Sequence, residues 1–171
     1  HLLILEDGAQ GFGGSINGRR SCSFGDISTT SFFPAKPLGC YGDGGAVFTD
    51  NDEWAALIDS YRVHGKGTFK YDNVRIGMNS RLDTLQAAIL QVKLRAFADY
   101  ELDAVNRAAA LYTSLLSDVV ITPTIPEGYQ SSWAQYTIRL ASREQRDALQ
   151  QHLKSLDIPS MVYYPTPMHA Q

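Results

Sequence analysis

The sequence predicts an α/β fold on three observations. First, the apolar run Leu2-Leu3-Ile4-Leu5 reads as a strand buried on both faces, the usual state of a strand flanked by parallel neighbours. Second, short strand patterns bounded by glycine alternate with a helical pattern across residues 22–63. Third, about residues 80–117 keep an apolar face with no interior Gly or Pro, which is long for one globular helix and suits a passage between two domains.

Composition narrows the class. With 171 residues, 44% apolar and 19% charged, the chain can bury a real core as one domain, or one and a part. A net charge of −3 offers no basic stripe, so no nucleic-acid partner is expected. Cys22 and Cys40 lack CxxC spacing, pointing to a reducing, cytoplasmic compartment. The opening apolar run is too short for a signal peptide or a membrane span. Four histidines form no ligand pattern, so no metal is expected. The chain opens on His1 at the edge of an apolar strand and stops at Gln171 without a capped end. The expectation is an internal piece of a longer protein, inactive in isolation.

Taken in order, residues 2–6 are the first strand. It ends in Glu6-Asp7, where functional groups gather in α/β sheets; the alternative is a polar pair opening a glycine loop. Gln10 follows one short turn later. Gly11-Phe12-Gly13-Gly14 lacks dinucleotide-binding spacing. Residues 22–33 read as two short strands around Gly25-Asp26, and Gly45–Asp50 as another. Asp50-Asn51-Asp52-Glu53 offers an N-cap and an acidic first turn for a helix through about Val63, with Trp54, Leu57, Ile58 and Tyr61 toward the core. His64-Gly65 ends it.

The long helix should be capped by Asn79 or Ser80, with Leu82, Leu85, Ile89, Val92 and Ala96, then Val105, Ala109, Tyr112 and Leu116, on its apolar face. After Asp118 the texture changes. Val119–Ile121 reads as a strand, residues 122–128 as a loop and Trp133–Leu140 as a half-buried strand. Ser142 with Gln145 opens a helix to about Leu156, and Ser160–Tyr164 closes a β-α-β run. The expected division is residues 1–117 in a larger domain, including the long helix, and 118–171 in a smaller α+β domain.

The chemistry centres on Ser31-Phe32-Phe33-Pro34-Ala35-Lys36-Pro37-Leu38-Gly39-Cys40, followed by Gly42-Asp43-Gly44-Gly45. Prolines fix φ on both sides of Ala35-Lys36, which holds the amine in a set direction; the alternative is a surface lysine in a turn. An aspartate after a strand, a hydroxyl cluster and a held lysine suit pyridoxal phosphate. The aldehyde needs an amine for a Schiff base, the pyridine nitrogen a carboxylate, and the phosphate hydroxyl donors. Lys36, Asp7 and Ser31 fill those roles.

Four segments in order, Glu6-Asp7-Gly8-Ala9-Gln10, Ser31–Lys36, Gly42–Ala46 and Gly77-Met78-Asn79-Ser80-Arg81-Leu82-Asp83, resemble the DegT/StrS family of nucleotide-sugar aminotransferases. The wording around Lys36 is most similar to enzymes that aminate a 3-keto UDP-N-acetylglucosaminuronate. The resemblance implies a fold-type I pyridoxal phosphate enzyme, here the C-terminal part of its large domain and the start of its small one. It implies that Lys36 is the catalytic amine, Asp7 the pyridinium partner, Gln10 a ring contact and Ser31 a phosphate ligand. It further implies a homodimer whose sites cross the interface, with Asn79 reaching the neighbour's cofactor phosphate and Arg81 its sugar nucleotide. Tyr163 and Tyr164 stand at the family's substrate-contacting His-Tyr, and Tyr163 departs from that histidine. An amino acid, glutamate by expectation, is the donor. A non-catalytic α/β piece and the family's dehydratase branch are the rivals; that branch replaces the lysine by histidine, so Lys36 opposes it.

Overall fold

The computed structural model describes residues 2–171. Its central sheet holds three strands in the order β1 (Leu5–Asp7), β4 (Ile27–Ser31), β5 (Gly45–Phe48). The β1–β4 pair is parallel, with Asp7 beside Thr29, and β4–β5 is antiparallel. No helix joins the parallel pair. The connection instead carries the hairpin β2 (Ser15–Ile16) and β3 (Arg19–Arg20), and β2 also pairs with β6 (Tyr129–Gln130) in a second small sheet. The hairpin turns on Asn17 and Gly18, both at positive φ (49° and 81°). An Asn-Gly pair is the commonest source of that geometry, so the signal lay in the sequence unread.

Several expectations need correction. The first strand is a short edge, not a buried strand: Leu2 to Leu5 are exposed because only β4 stands beside it. Residues 22–33 form one strand, not two, since residues 22–25 are drawn into a turn around the Glu6 carboxylate. The first helix, α1 (Asp52–Tyr61), starts where expected, with the Asn51 side chain accepting from the Trp54 N–H at 3.0 Å. Its apolar face is only half covered, and Leu57 and Tyr61 stay exposed. At its end Gly65 has φ +73°, and a Cβ there would run into the Arg75 carbonyl.

The long helix begins later than expected. Asn79 and Ser80 lie in extended chain laid against the end of α1, where the Ser80 N–H donates to Arg62 O at 2.9 Å. Asp83 is the N-cap of α2 (Thr84–Ala96), which continues through a π turn (Phe97–Glu101) into α3 (Leu102–Leu116). The buried side chains are Leu90, Phe97, Leu102 and Ala109, spaced seven, five and seven residues apart. Five residues would rotate a regular α-helix off its buried face. The π turn restores the register, and its i→i+5 bond runs from the Leu102 N–H to Phe97 O. Already within α2 the buried face is that of Leu90 rather than the predicted stripe, leaving Leu85 and Val92 each 71% exposed.

Beyond α3 the expected strands at Val119–Ile121 and Trp133–Leu140 shrink to one bridge between Ile121 and Arg139. Trp133 takes φ +51°, which no strand allows. Helix α4 (Arg143–Ser155) forms with Ser142 Oγ accepting from the Gln145 N–H at 3.2 Å. The strand expected at Ser160–Tyr164 is irregular chain. Among the described residues, no helix is long and apolar enough to cross a membrane.

The core joins β4 and the lysine turn to the long helix. Phe32, Leu38, Cys40, Leu90, Phe97 and Leu102 form it, with Phe12, Ala46 and Leu82 packed alongside. Phe12 meets both Phe32 and Phe97 with ring centroids 6.1 Å apart.

Candidate active site

The lysine turn is fixed from behind. The Phe32 N–H donates to Gly44 O at 2.8 Å, and the Cys40 N–H donates to Phe32 O at 2.7 Å. Residues 33–39 are thus closed into a loop whose inner side is Leu38, Gly39 and Cys40, the last with no exposed surface. A Cβ on Gly39 would sit 2.6 Å from Pro34 O and 2.8 Å from Phe33 O, so only glycine lets the loop close. The Lys36 N–H donates to Phe33 O at 2.9 Å, completing a turn. The side chain is left half-buried, and among the described residues no carboxylate lies within 4.0 Å of its amine. Lys36 lines a cavity of ≈ 400 Å³ with Phe97, Glu101, Val105 and Trp133.

Asp7 and Ser31 stand at the same end of the sheet. Parallel register places Asp7 beside Thr29, and Ser31 is two residues further along β4, so all three side chains share one face. Asp7 Oδ1 accepts from the Ala9 N–H at 3.0 Å, which holds the carboxylate over the loop with no cation paired to it among the described residues. Ser31 Oγ accepts from the Phe33 N–H at 3.2 Å and keeps its own proton to donate. On the other face, Thr30 Oγ1 donates to Gly8 O at 3.0 Å and ties the two strand ends together.

Glu6 faces away from Asp7, and sequence reasoning did not assign it a role. Its carboxylate accepts N–H groups from Cys22 (2.6 Å), Phe24 (2.8 Å) and Gly25 (3.2 Å), and Ser21 Oγ lies at 3.4 Å. Burial pushes the Glu6 carboxyl up, but those donors outweigh it and hold the group below its ordinary range. Glu6 thereby anchors the loop beneath the strand end that carries Asp7. The period-two alternation of a strand was the available signal, because neighbours 6 and 7 must serve opposite faces.

The remaining candidates are spread more widely. Gln10 is exposed on the rim of a second cavity of ≈ 380 Å³, shared with Glu6, Tyr129 and Ser132. Arg81 lines a third hollow of ≈ 1010 Å³ bounded by the glycine loop at Asp43-Gly44, β4, β5 and α1. Asn79 lies exposed on the extended segment. Tyr163 and Tyr164 are exposed and touch each other edge to face at 5.7 Å. Asp7 and Ser31 share one face at the sheet end from which the Lys36 turn leaves β4. Of the candidates only Lys36 lines the lysine cavity; Asp7, Gln10, Ser31, Asn79, Arg81, Tyr163 and Tyr164 lie outside its lining.

This donor set fits pyridoxal phosphate: an amine and a strand-end carboxylate that have no ion-pair partner among the described residues, and a hydroxyl free to donate on the same face as the carboxylate. Comparison with known proteins agrees. The profile of the DegT/DnrJ/EryC1/StrS aminotransferase family matches residues 1–171. The chain is 47% identical over 171 residues to the UDP-2-acetamido-2-deoxy-3-oxo-D-glucuronate aminotransferase of Pseudomonas aeruginosa, covering 99% of this chain and 46% of that protein. A solved DegT DnrJ EryC1 StrS aminotransferase of Brucella abortus superposes with a TM-score of 0.93 at 50% identity, over 99% of this chain and 44% of that one. The S. venezuelae protein DesV, solved in complex with a ketimine intermediate, superposes with a TM-score of 0.91 at 35% identity, over 99% of this chain and 45% of its own. The chain therefore spans less than half the length of these relatives, and the expected fold class is borne out.

Proposed function

This chain belongs to the DegT/DnrJ/EryC1/StrS aminotransferase family, and on that premise we propose that its protein transfers an amino group from an amino acid to a keto nucleotide-sugar for amino-sugar biosynthesis. The observation that carries the reading is the Lys36 amine, held on a pinned turn at the sheet end that also presents Asp7 and Ser31. Pyridoxal 5'-phosphate, when bound, supplies an aldehyde carbon and a cationic ring that accepts an electron pair from the substrate carbon.

Each residue has a defined task. Lys36 holds the cofactor through its amine and, once freed, carries the proton to and from the reacting carbon. The Asp7 carboxylate keeps the ring nitrogen protonated, so charge is stabilised by a fixed group rather than by water. The Ser31 hydroxyl donates to the phosphate, and Gln10 packs against the ring. Asn79 and Arg81 serve the site of a second subunit in a homodimer, where a guanidinium suits a phosphate or carboxylate. Tyr163 and Tyr164 contact the sugar nucleotide. Residues 1–117 belong to the larger domain and 118–171 to the smaller, in a cytoplasmic protein.

A 3-keto uronate linked to UDP is the favoured substrate, in line with the reaction named for the P. aeruginosa relative, and glutamate the favoured donor. Borohydride reduction of the whole protein with bound cofactor tests the reading. Peptide mapping should then find the added mass on Lys36, and assay against a panel of keto nucleotide-sugars should show turnover. A label on Lys66, Lys70, Lys93 or Lys154 instead, or no label, overturns it.

A further inference from the structure

One wall of the lysine cavity comes from far along the chain. Trp133 lines it beside Lys36, Phe97 and Glu101, and the Trp133 backbone sits at φ +51°, a conformation that a bulky residue holds only under constraint. Asn106 supplies the constraint. It lies on α3, one turn beyond the π turn. Its Nδ2 donates to Leu102 O at 2.8 Å within the helix and to Ser131 O at 3.0 Å in the incoming segment. Its Oδ1 accepts from Trp133 Nε1 at 3.0 Å, while Ser131 Oγ accepts from the Trp133 N–H at 3.1 Å.

A second tie lies two turns on. Tyr136 OH and Thr113 Oγ1 are 2.7 Å apart, and the Tyr136 ring sits 5.4 Å from Trp133 and 5.2 Å from Tyr112. The segment is therefore laid along α3, and Asn106 is the only side chain of the group bonded to both the helix and the indole. Its amide geometry is specific. Aspartate would keep the acceptor for the indole but lose both donors, and leucine would lose all three bonds.

We propose that Asn106 is a positioning residue that fixes the Trp133 indole as a wall of the cavity lined by Lys36, and through it orients the substrate at that amine. The inference rests on the reading of Lys36 given above, and Asn106 acts through Trp133.

A double-mutant cycle in the cofactor-loaded whole protein tests it, using Asn106→Leu, Trp133→Ala and the pair, with Asn106→Asp and Trp133→Phe as milder variants. Asn106→Leu should lower kcat about ten-fold, less than the roughly 10²-fold that a 1 Å misplacement of the reacting geometry can cost, because Asn106 acts through the Trp133 wall. It should leave the KM for the amino donor within about two-fold and weaken the visible circular dichroism of the bound cofactor. Asn106→Asp and Trp133→Phe should fall between this variant and wild type. In the Trp133→Ala background, Asn106→Leu should cost no further activity, because the partner it positions is gone. Additive losses, or a kcat unchanged by Asn106→Leu, overturn the proposal. Borohydride labelling separates the two readings. A wild type unlabelled at Lys36 sinks both, whereas labelled variants with additive losses sink this one alone.

Discussion

The lysine turn and the C-terminal stretch both carry residues assigned to the proposed chemistry, and they are held in opposite ways. Lys36 is backed by Leu38 at 3% exposure and by the fully covered Cys40, and the turn is closed by backbone bonds at both ends. Residues 157–171 contain no buried side chain. The Asp157 and Ile158 N–H groups close the end of α4 on Lys154 O and Leu153 O. Beyond them one long bond, Gln150 Nε2 to Ser160 O at 3.4 Å, ties the stretch to α4, which itself buries nothing. A group that must meet a reacting atom needs its direction set by its own core. A group that contacts the outer part of a substrate can be placed by whatever packs against it. The difference makes the turn the part of the site that this chain determines alone.

That contrast can be broken or sharpened by substitution. Lys36→Ala should have the largest effect, a loss of transfer by at least the roughly 10²- to 10⁴-fold due to a positioned proton carrier, together with loss of the borohydride label. Its unfolding midpoint should match wild type, because the half-buried amine has no ion pair among the described residues. Leu38→Ala comes next. It should cost about 2–5 kcal/mol in urea unfolding, the range for emptying a packed leucine site, and lower activity by loosening the turn.

Glu6→Gln should cost about 1–3 kcal/mol near neutral pH, because the loop at residues 22–25 loses its charged acceptor. The folded Glu6 titrates below its ordinary value of 4.5. Its stabilisation is therefore fully present above that value and is lost as pH falls through the lower folded one. Unfolding measured from neutral to acidic pH should show wild type losing more stability than Glu6→Gln, and parallel curves would refute the anchor. Ser142→Ala should have the smallest effect, about 1 kcal/mol on α4 through its N-cap, with kcat unchanged. A kcat loss there would show that the far end of the chain also sets the geometry at Lys36.

Legibility followed the range of the interaction. The caps at Asn51 and Ser142 were readable because donor and acceptor lie three residues apart. The lysine turn was readable because prolines and glycines act on their own φ. The strands expected at 133–140 and 160–164 failed because alternation suits a strand only where a partner pairs with it, and a single bridge at Ile121–Arg139 is all that forms. The stripe through Leu85 and Val92 failed because periodicity does not say which apolar face the core takes, and α2 buries Leu90 instead. The π turn at residues 97–101 then shifts the helical period beyond it. Asn106 carried no signal, since its partners at Ser131 and Trp133 are 25 and 27 residues away.

By itself the sequence determined the chemistry on offer: an amine between prolines, a carboxylate closing a strand, hydroxyls and glycines at ordered intervals. These are properties of single residues and of their nearest neighbours, so they survive without coordinates. Only the tertiary structure decided that Asp7 and Ser31 share a face, that Glu6 anchors the loop from the other side, and that Trp133 is brought to Lys36. Those outcomes depend on strand register, on one extra residue in a helical turn and on bonds that close long loops. Each is settled by the competition for buried space across the whole fold rather than by any local preference.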